Sequence, residues 1–298
     1  MNGILDWGTE VVLWFQQFSP TLDLFFQAFT FMGEEEFFLL LLPLVYWCLD
    51  RRTGARLTIL FLLSTYLNAV IKVAVGQPRP FQYDPRVQKL WETTGSGFPS
   101  NHTQGAVVVW GYLATQFRRR WLWVLAALLM VLIPLSRVYL GMHFPTDLLG
   151  GYVLGVAILL LYLWGRPGAE ERLERWGLAG QLGLAFVAPI FLAFCCPIGD
   201  EASVTAAATM MGLGAGFVLE RHWVGFRTAG SWWKRATRFL LGVVGLFVLR
   251  FGLSVAFSGL TPPLLFRFIR YGLIGLWGGL GAPWAFVLLG LAEAASDR

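Results

Sequence analysis

The chain has 298 residues, of which 56% are hydrophobic and only 14% are charged, with a formal net charge of +5 at pH 7. Soluble domains carry roughly 25% charged residues. Together with a mean hydropathy of +0.61, this composition excludes a soluble globule and predicts an integral membrane protein. No basic patch with interleaved aromatic residues indicates a nucleic-acid partner, so membrane lipids are the expected partners.

The first 33 residues are rich in aromatic side chains but are interrupted by polar ones. The stretch EVVLWFQQFSPTLDLFFQAFTF contains Gln16, Gln17, Pro20 and Asp23. Such a pattern is typical of helices that lie along the membrane interface with one apolar face inward. Residues 1–33 are therefore predicted to form one or two interfacial amphipathic helices, with a tenth membrane span as the alternative.

Beyond residue 33, nine apolar runs approach or exceed the length of about 20 residues that a spanning helix needs. They predict an all-α, polytopic transmembrane helical bundle of about nine spans. The approximate bounds of the runs are 36–50, 55–75, 102–118, 121–141, 145–165, 178–195, 202–220, 236–257 and 271–292.

Positive charge is concentrated in every second loop. Cytoplasmic loops carry an excess of lysine and arginine, so these loops and the C-terminus are predicted to be cytoplasmic. The intervening segments 76–101, 142–144, 196–201 and 258–270 are then external. The basic loops contain Arg51, Arg52 and Arg56; Arg118–Arg120; Arg166, Arg172 and Arg175; and Arg221, Arg227, Lys234, Arg235 and Arg238.

A set of polar and ionisable residues lies at the external ends of the second to fifth spans. Each member has an ordinary explanation: a lysine can snorkel to the headgroups, and a serine can cap a helix through its hydroxyl. Ionisable residues within spans are costly, however, and usually mark a functional site. The topology gathers the whole set at one depth, which favours a site. Its members are Lys72, Arg79, Ser100, His102, Ser136, Arg137, His143 and Asp147.

The cations of this set suit a multiply charged oxyanion. Lys72, Arg79 and Arg137 provide one ammonium and two guanidinium groups, which bind such anions as point charges and planar forks. The start of the third span, near Ser100, adds backbone N–H groups and the positive end of a helix dipole. The pattern therefore predicts a phosphate ligand.

The histidines of the set supply the acid–base chemistry. His102 and His143 can serve as a nucleophile and an acid. Asp147 follows His143 by four residues, so one helical turn would bring its carboxylate to the imidazole and fix the tautomer. No cluster of His, Asp or Glu has the spacing of metal ligands, so no metal or other cofactor is expected, and the cations must balance the charge.

These residues resemble the three-part signature of the type 2 phosphatidic acid phosphatase superfamily, which also includes vanadium haloperoxidases. The signature covers roughly residues 72–147, and the spans within 36–165 match the family's six-helix type of core. The parts K-x6-R-P, P-S-G-H and S-R-x5-H-x3-D appear as Lys72 to Arg79-Pro80, Pro99-Ser100-Asn101-His102, and Ser136-Arg137 to His143 and Asp147.

The resemblance implies a mechanism and a division of the chain. His143 would attack phosphorus to form a phosphohistidine, Asp147 would orient it, and His102 would protonate the leaving oxygen and later activate water. Inorganic phosphate or vanadate would bind at the same site. The implied regions are interfacial helices in 1–33, a catalytic core in 34–166 and additional transmembrane helices in 167–298. The implied phosphate ligands are Lys72, Arg79, Ser100, the backbone of Asn101, and Arg137.

The second part of the signature departs from the family at one position. Asn101 stands where glycine is usual. Asparagine keeps the backbone N–H and tolerates unusual backbone angles better than most residues, but it adds bulk beside the phosphate. We expect altered substrate preference without loss of catalysis.

The substrate is less well defined by the sequence. Most membrane-bound relatives use lipid phosphates, so a polyprenyl diphosphate, phosphatidic acid or phosphatidylglycerol phosphate is expected. The stretches GQPRPF, ETTGSGFPSNH and SRVYLGMHFP also look like the glucose-6-phosphatase and sphingosine-phosphate phosphatase branch. The alternative substrate is therefore a soluble phosphomonoester such as a sugar phosphate, or a sphingosine-phosphate-like lipid. A transporter is a remote alternative, because transporters place ionisable residues at several depths.

The remaining expectations concern the C-terminal spans and the location. Residues 178–292 contain few charges within spans, which favours a scaffold, a lipid-facing wall or the surface of a homodimer. A bacterial inner membrane is favoured, with the site on the periplasmic or external face; in the alternative, an endoplasmic reticulum membrane, the same face is in the lumen.

Overall fold

The computed structural model describes residues 2–195 and 200–294, in which the regular secondary structure is helical and one isolated β-bridge joins Phe226 and Ala294. The predicted external segment 196–201 therefore lies mostly outside the described residues. The helices are α1 (Asn2–Gln16), α2 (Asp23–Phe31), α3 (Glu35–Leu44, continued by a π-helical turn at Val45–Leu49), α4 (Arg51–Val75), α5 (Pro80–Tyr83), α6 (Asn101–Phe117), α7 (Arg120–Tyr139), α8 (Pro145–Arg175), α9 (Gly177–Phe194), α10 (Glu201–Leu219, continued by a π-helical turn at Glu220–Val224), α11 (Trp232–Ala256), α12 (Pro263–Leu276, continued by a π-helical turn at Trp277–Gly281) and α13 (Ala282–Leu288).

Seven helical segments of the described chain are long and apolar enough to cross a membrane. This finding agrees with an integral membrane protein. All nine predicted runs are helical, but α6 has only 17 residues and α3 has 10 before its π-helical turn. For these two, membrane crossing remains a prediction.

The N-terminal region forms two helices that are both too short to span a bilayer. α1 has 15 residues and α2 has 9, whereas a span needs about 20. Whether they lie in the interface remains a prediction. Phe26 of α2 stacks on Tyr139 of α7 with ring centroids 4.3 Å apart, and the Tyr139 hydroxyl donates to Asp23 at 2.6 Å. α2 is thus fixed to the end of α7.

The chain divides into two compact units. The first contains Met1–Phe38 and Leu67–Trp164, and the second contains Leu39–Tyr66 and Gly165–Arg298. The functional division into 1–33, 34–166 and 167–298 remains a prediction.

Within the first unit, glycines of α8 allow close contact with the start of α6. A Cβ atom on Gly151 would lie 2.7 Å from the carbonyl oxygen of Ser100, and one on Gly155 would lie 2.9 Å from Cβ of Val107. Small residues of this kind let helix backbones approach each other in membranes. The contact brings the first turn of α6 beside the first turn of α8.

Within the second unit, a buried carboxylate joins three segments. Glu220 accepts hydrogen bonds from Arg51 at 2.9 Å and from the backbone N–H of Phe226 at 2.8 Å. The buried Glu220 carboxylate needs such partners, because an isolated buried charge is strongly unfavourable. The arrangement explains the acidic residue in an otherwise basic loop.

Candidate active site

The eight residues predicted to act in catalysis or phosphate binding all lie in the first compact unit, as does Ser136 of the third signature segment. The last turns of α4 and α7 carry Lys72 and Arg137, and Arg79 directly precedes α5. The other five residues lie at the starts of α6 and α8 or in the turn between α7 and α8. They are Ser100, Asn101, His102, His143 and Asp147.

His143 and Asp147 form the contact expected from their spacing. His143 Nδ1 lies 3.1 Å from Oδ2 of Asp147, and both side chains are buried. The same carboxylate oxygen accepts the backbone N–H of Phe144 at 3.0 Å, while Oδ1 accepts the Gln77 amide at 2.6 Å. With the Nδ1 proton donated to Asp147, Nε2 of His143 carries the free lone pair.

The turn that carries His143 depends on a glycine. Gly141 has φ +77°, and a Cβ atom there would lie 2.4 Å from the backbone oxygen of Gln88. The backbone N–H groups of Met142 and His143 donate to the carbonyl oxygen of Arg137 at 2.9 and 3.2 Å. The end of α7 therefore positions the imidazole directly.

The environment of His143 keeps its imidazole neutral. Burial, and then the charges of Lys72, Arg79 and Arg137, hold the pKa of His143 well below its usual range. Arg79 Nη1 lies 3.4 Å from Nε2 of His143. A neutral imidazole beside a guanidinium is able to attack an anion that the guanidinium binds.

Two of the predicted phosphate-binding cations are held by carbonyl oxygens of the loop before α6. Arg79 donates to Thr94 and Gly95, both at 2.9 Å, and Lys72 Nζ donates to Ser96 at 2.7 Å. Carbonyl groups fix the side chains without cancelling their formal charge. The site can therefore offer positive charge to an anionic ligand.

The third cation, Arg137, retains an unused donor. Its guanidinium is buried, and Nη1 donates to the Thr30 hydroxyl. Its Nε has no hydrogen-bond partner among the described residues. A buried donor without a partner is unfavourable, and a phosphate oxygen would satisfy it.

The start of α6 has the expected cap. Ser100 Oγ accepts the backbone N–H of Thr103 at 3.4 Å, and the backbone N–H of Ser100 donates to the carbonyl oxygen of Asp147 at 3.0 Å. The second bond ties the start of α6 to α8. Because His102 lies in the first turn of α6, this bond also keeps His102 on the side of the first unit that contains His143.

The structure adds side chains that the sequence did not reveal as site residues. Gln77 lies within the first signature segment but is not one of its fixed positions. Glu34 contacts His102 at 3.2 Å and Arg137 at 3.5 Å, and it was not among the predicted site residues. The adjacent Gly33 is the one available signal, because glycine often permits a close approach.

Comparison with known protein families places this geometry in context. The model described as PAP2 superfamily matches residues 53–170, and the model described as PAP2 superfamily phosphatase, transmembrane extension, matches residues 204–294. Bacitracin transport permease protein BcrC of Bacillus licheniformis is 31% identical over 46% of this chain and 70% of its own length. The chain belongs to the PAP2 superfamily.

Two further relatives are named for lipid substrates. Lipid phosphate phosphatase delta of Arabidopsis thaliana is 32% identical over 52% of this chain and 41% of its own length. Human sphingosine-1-phosphate phosphatase 2 is 31% identical over 64% of this chain and 49% of its own length. The chain spans about half the length of these two curated relatives.

The PAP2 match contains all eight predicted site residues, since they lie between 72 and 147. Thr30 and Glu34 lie outside it. Side chains from a segment that the family model does not cover therefore also contact the candidate site. Among the described residues, no group of His, Cys, Asp and Glu is arranged to hold a metal ion.

Proposed function

We propose that this protein is a membrane phosphatase that hydrolyses a lipid phosphate or diphosphate through a phosphohistidine intermediate, without a metal ion. The observation that carries the proposal is the buried His143–Asp147 pair, with Arg79 Nη1 3.4 Å from the free ring nitrogen. This arrangement supplies a neutral nucleophile beside a cation that would hold the phosphoryl group.

In the first step, Nε2 of His143 attacks phosphorus in line with the leaving oxygen. The P–N bond forms as the P–O bond breaks, and the electron pair of the broken bond goes to the leaving oxygen. His102 donates a proton to that oxygen. Asp147 stabilises the positive charge that develops on the His143 ring.

In the second step, His102 takes a proton from a water molecule, which attacks phosphorus. The P–N bond breaks, its electron pair returns to His143, and inorganic phosphate leaves. Most of the acceleration in phosphoryl transfer comes from positioning and charge stabilisation. The groups proposed to bind the phosphoryl oxygens are Lys72, Arg79, Ser100, the backbone N–H of Asn101, and Arg137.

A lipid substrate is supported by the location of the motif residues in a membrane protein. A headgroup could reach the cations while its tail remains in the bilayer. The names of two relatives, a lipid phosphate phosphatase and a sphingosine-1-phosphate phosphatase, favour the same class. We propose a polyprenyl diphosphate, phosphatidic acid or phosphatidylglycerol phosphate type of substrate.

The proposed location is a bacterial inner membrane, with the site on the external face and the C-terminus in the cytoplasm. The alternation of basic and non-basic loops supports this orientation. A cysteine introduced at position 83 should react with an impermeant reagent from outside. Labelling only from the cytoplasmic side would reverse the proposed topology.

Phosphate release by detergent-purified protein tests the activity, with His143→Ala as the control. The panel contains a polyprenyl diphosphate, phosphatidic acid, phosphatidylglycerol phosphate, sphingosine phosphate and glucose-6-phosphate. Preference for a lipid, with activity retained in EDTA, is expected. Preference for the sugar phosphate would assign a soluble substrate, and a strict need for added metal would contradict the metal-free mechanism. Folded protein that is inactive on all five would favour a transporter, as the name of the BcrC relative suggests for that protein.

A further inference from the structure

Glu34 brings a carboxylate to the second histidine of the site. Its Oε1 lies 3.2 Å from Nε2 of His102 and 3.5 Å from Nη1 of Arg137. The same oxygen accepts the indole N–H of Trp91 at 2.8 Å. One carboxylate oxygen thus faces a histidine, an arginine and a tryptophan.

The backbone is shaped for this contact. A Cβ atom on Gly33 would lie 2.3 Å from Cδ2 of His102, so the chain at residue 33 rests against the imidazole ring. Glu34 then directly precedes α3, and its carbonyl oxygen accepts the N–H of Phe38 at 3.3 Å. Both features fix the position of the Glu34 carboxylate relative to the ring.

The contacts of Glu34 favour its ionised form. Burial by itself would raise its pKa, but the hydrogen bond and charge of His102, the charge of Arg137 and the Trp91 hydrogen bond outweigh burial and lower the pKa to about 2. The side chain of His102 is only 10% exposed and that of Glu34 is 26% exposed. Such partial burial strengthens the interaction relative to a surface pair.

We propose that Glu34 is a positioning residue for His102, as Asp147 is for His143, so that this site contains two carboxylate–histidine pairs. This inference rests on the proposed function, in which His102 exchanges a proton with the leaving oxygen. The two pairs have similar nitrogen–oxygen distances, 3.1 Å at Nδ1 of His143 and 3.2 Å at Nε2 of His102.

The chemical consequence concerns the protonated form of His102. A carboxylate that accepts the Nε2 proton stabilises the imidazolium, and it leaves the other ring nitrogen, Nδ1, to carry the exchanged proton. In the first step, that proton goes to the leaving oxygen together with the electron pair of the P–O bond. In the second step, Nδ1 takes a proton from water. Glu34 remains ionised throughout.

Leaving-group dependence distinguishes this role from a purely structural one. A positioned acid contributes most where the leaving oxygen is strongly basic. Glu34→Gln keeps the size of the side chain but removes its charge, and Glu36→Gln makes the same change at an exposed neighbour. The substrates are an alkyl phosphate and a nitrophenyl phosphate that carry the same long apolar tail, and the readout is kcat/KM.

We expect Glu34→Gln to lower kcat/KM for the alkyl phosphate at least tenfold more than for the nitrophenyl phosphate. Glu36→Gln should leave the ratio of the two values unchanged. An equal loss on both substrates in Glu34→Gln would overturn the proposal, because a side chain that only holds Arg137 or the fold affects both leaving groups alike.

A second measurement does not depend on activity. The chain contains three histidines, so the ring signals of ¹⁵N-labelled protein can be assigned with His102→Gln, His143→Gln and His222→Gln. Glu34→Gln should shift the ring signals of His102 and leave those of His222 unchanged. Unshifted His102 signals would overturn the proposal. Absence of phosphate release by the wild type would count against the proposed function alone.

Discussion

The amide of Gln77 donates a 2.6 Å hydrogen bond to Oδ1 of Asp147, the carboxylate oxygen that does not contact His143. Asp147 is buried, and its other oxygen is occupied by His143 and by the backbone N–H of Phe144. Gln77 therefore completes the hydrogen bonding of the Asp147 carboxylate and fixes the orientation of that carboxylate relative to the His143 ring.

Replacing Gln77 by leucine should weaken the proposed nucleophile. The change leaves a buried carboxylate oxygen without its partner, which costs about 1–3 kcal/mol, so we expect kcat to fall roughly tenfold or more. Gln116→Leu, the same change at the far end of α6, is the control. Unchanged turnover in purified Gln77→Leu would show that the Gln77 bond does not support the histidine.

Asp147→Asn should have a much larger effect. Asparagine retains the shape of aspartate but cannot balance the positive charge of a phosphohistidine, and its NH₂ group can reverse the tautomer of His143. The equivalent change in a Ser-His-Asp triad lowers kcat about 10⁴-fold, and we expect a loss of about 10³- to 10⁴-fold in phosphate release. Activity within a factor of ten of the wild type would contradict the pairing of Asp147 with the nucleophile.

Gly141→Ala should disrupt the turn that carries His143. A left-handed conformation costs about 1–2 kcal/mol for a residue with a Cβ atom, and the contact with the Gln88 carbonyl oxygen adds steric repulsion. Gly259 is the matched control, because it has φ +79° and no atom within 4 Å of a built Cβ. Thermal unfolding in detergent should show a larger loss of stability for Gly141→Ala. Equal losses in the two variants would mean that the turn relaxes without cost.

The buried His143 should make stability depend on pH. Its folded-state pKa lies well below the usual value of 6.5, so below pH 6.5 the unfolded chain takes up a proton that the folded protein does not. Stability therefore falls as the pH decreases, by at most about 1.4 kcal/mol per unit from this group. The pKa of Glu34 is about 2, so the contribution of Glu34 to the pH dependence of stability lies at lower pH. Unfolding measured at pH 7.5 and 5.5 should show a smaller decrease for His143→Gln than for the wild type. The same decrease in both proteins would show that the His143 ring takes up a proton in the folded protein over this pH range, as it does in the unfolded chain.

Much of the helical organisation was predictable from apolar run length. The expected runs 102–118 and 121–141 correspond closely to Asn101–Phe117 and Arg120–Tyr139, because charged or capping residues mark their ends. The helix that contains the expected run 145–165 is longer than the run, since α8 continues to Arg175. Its last residues, AEERLER, are strong helix formers, so the helix continues after the apolar segment ends.

The core of the candidate site was also predictable, because its members lie at fixed spacings in three short segments. The four-residue spacing of His143 and Asp147 predicted their contact, since one helical turn brings such positions together. The contacts of Glu34 were not predictable, since 68 residues separate it from His102 and 103 separate it from Arg137. No local pattern encodes a contact over that distance, and packing of α2 against α7 determines it.

The central claim is that His143 becomes phosphorylated, and trapping the intermediate tests it most directly. His102→Ala should slow hydrolysis of the intermediate more than its formation when the leaving group is a nitrophenolate, which needs no proton from His102. The protein is therefore mixed with a phosphate-labelled nitrophenyl phosphate that carries a long apolar tail and is quenched in base, where phosphohistidine survives. Mass spectrometry of the peptides should locate the phosphoryl group on His143, and His102→Ala combined with His143→Ala should carry none. A phosphoryl group on any other residue, or turnover of the substrate with no labelled peptide at any time, would contradict the account.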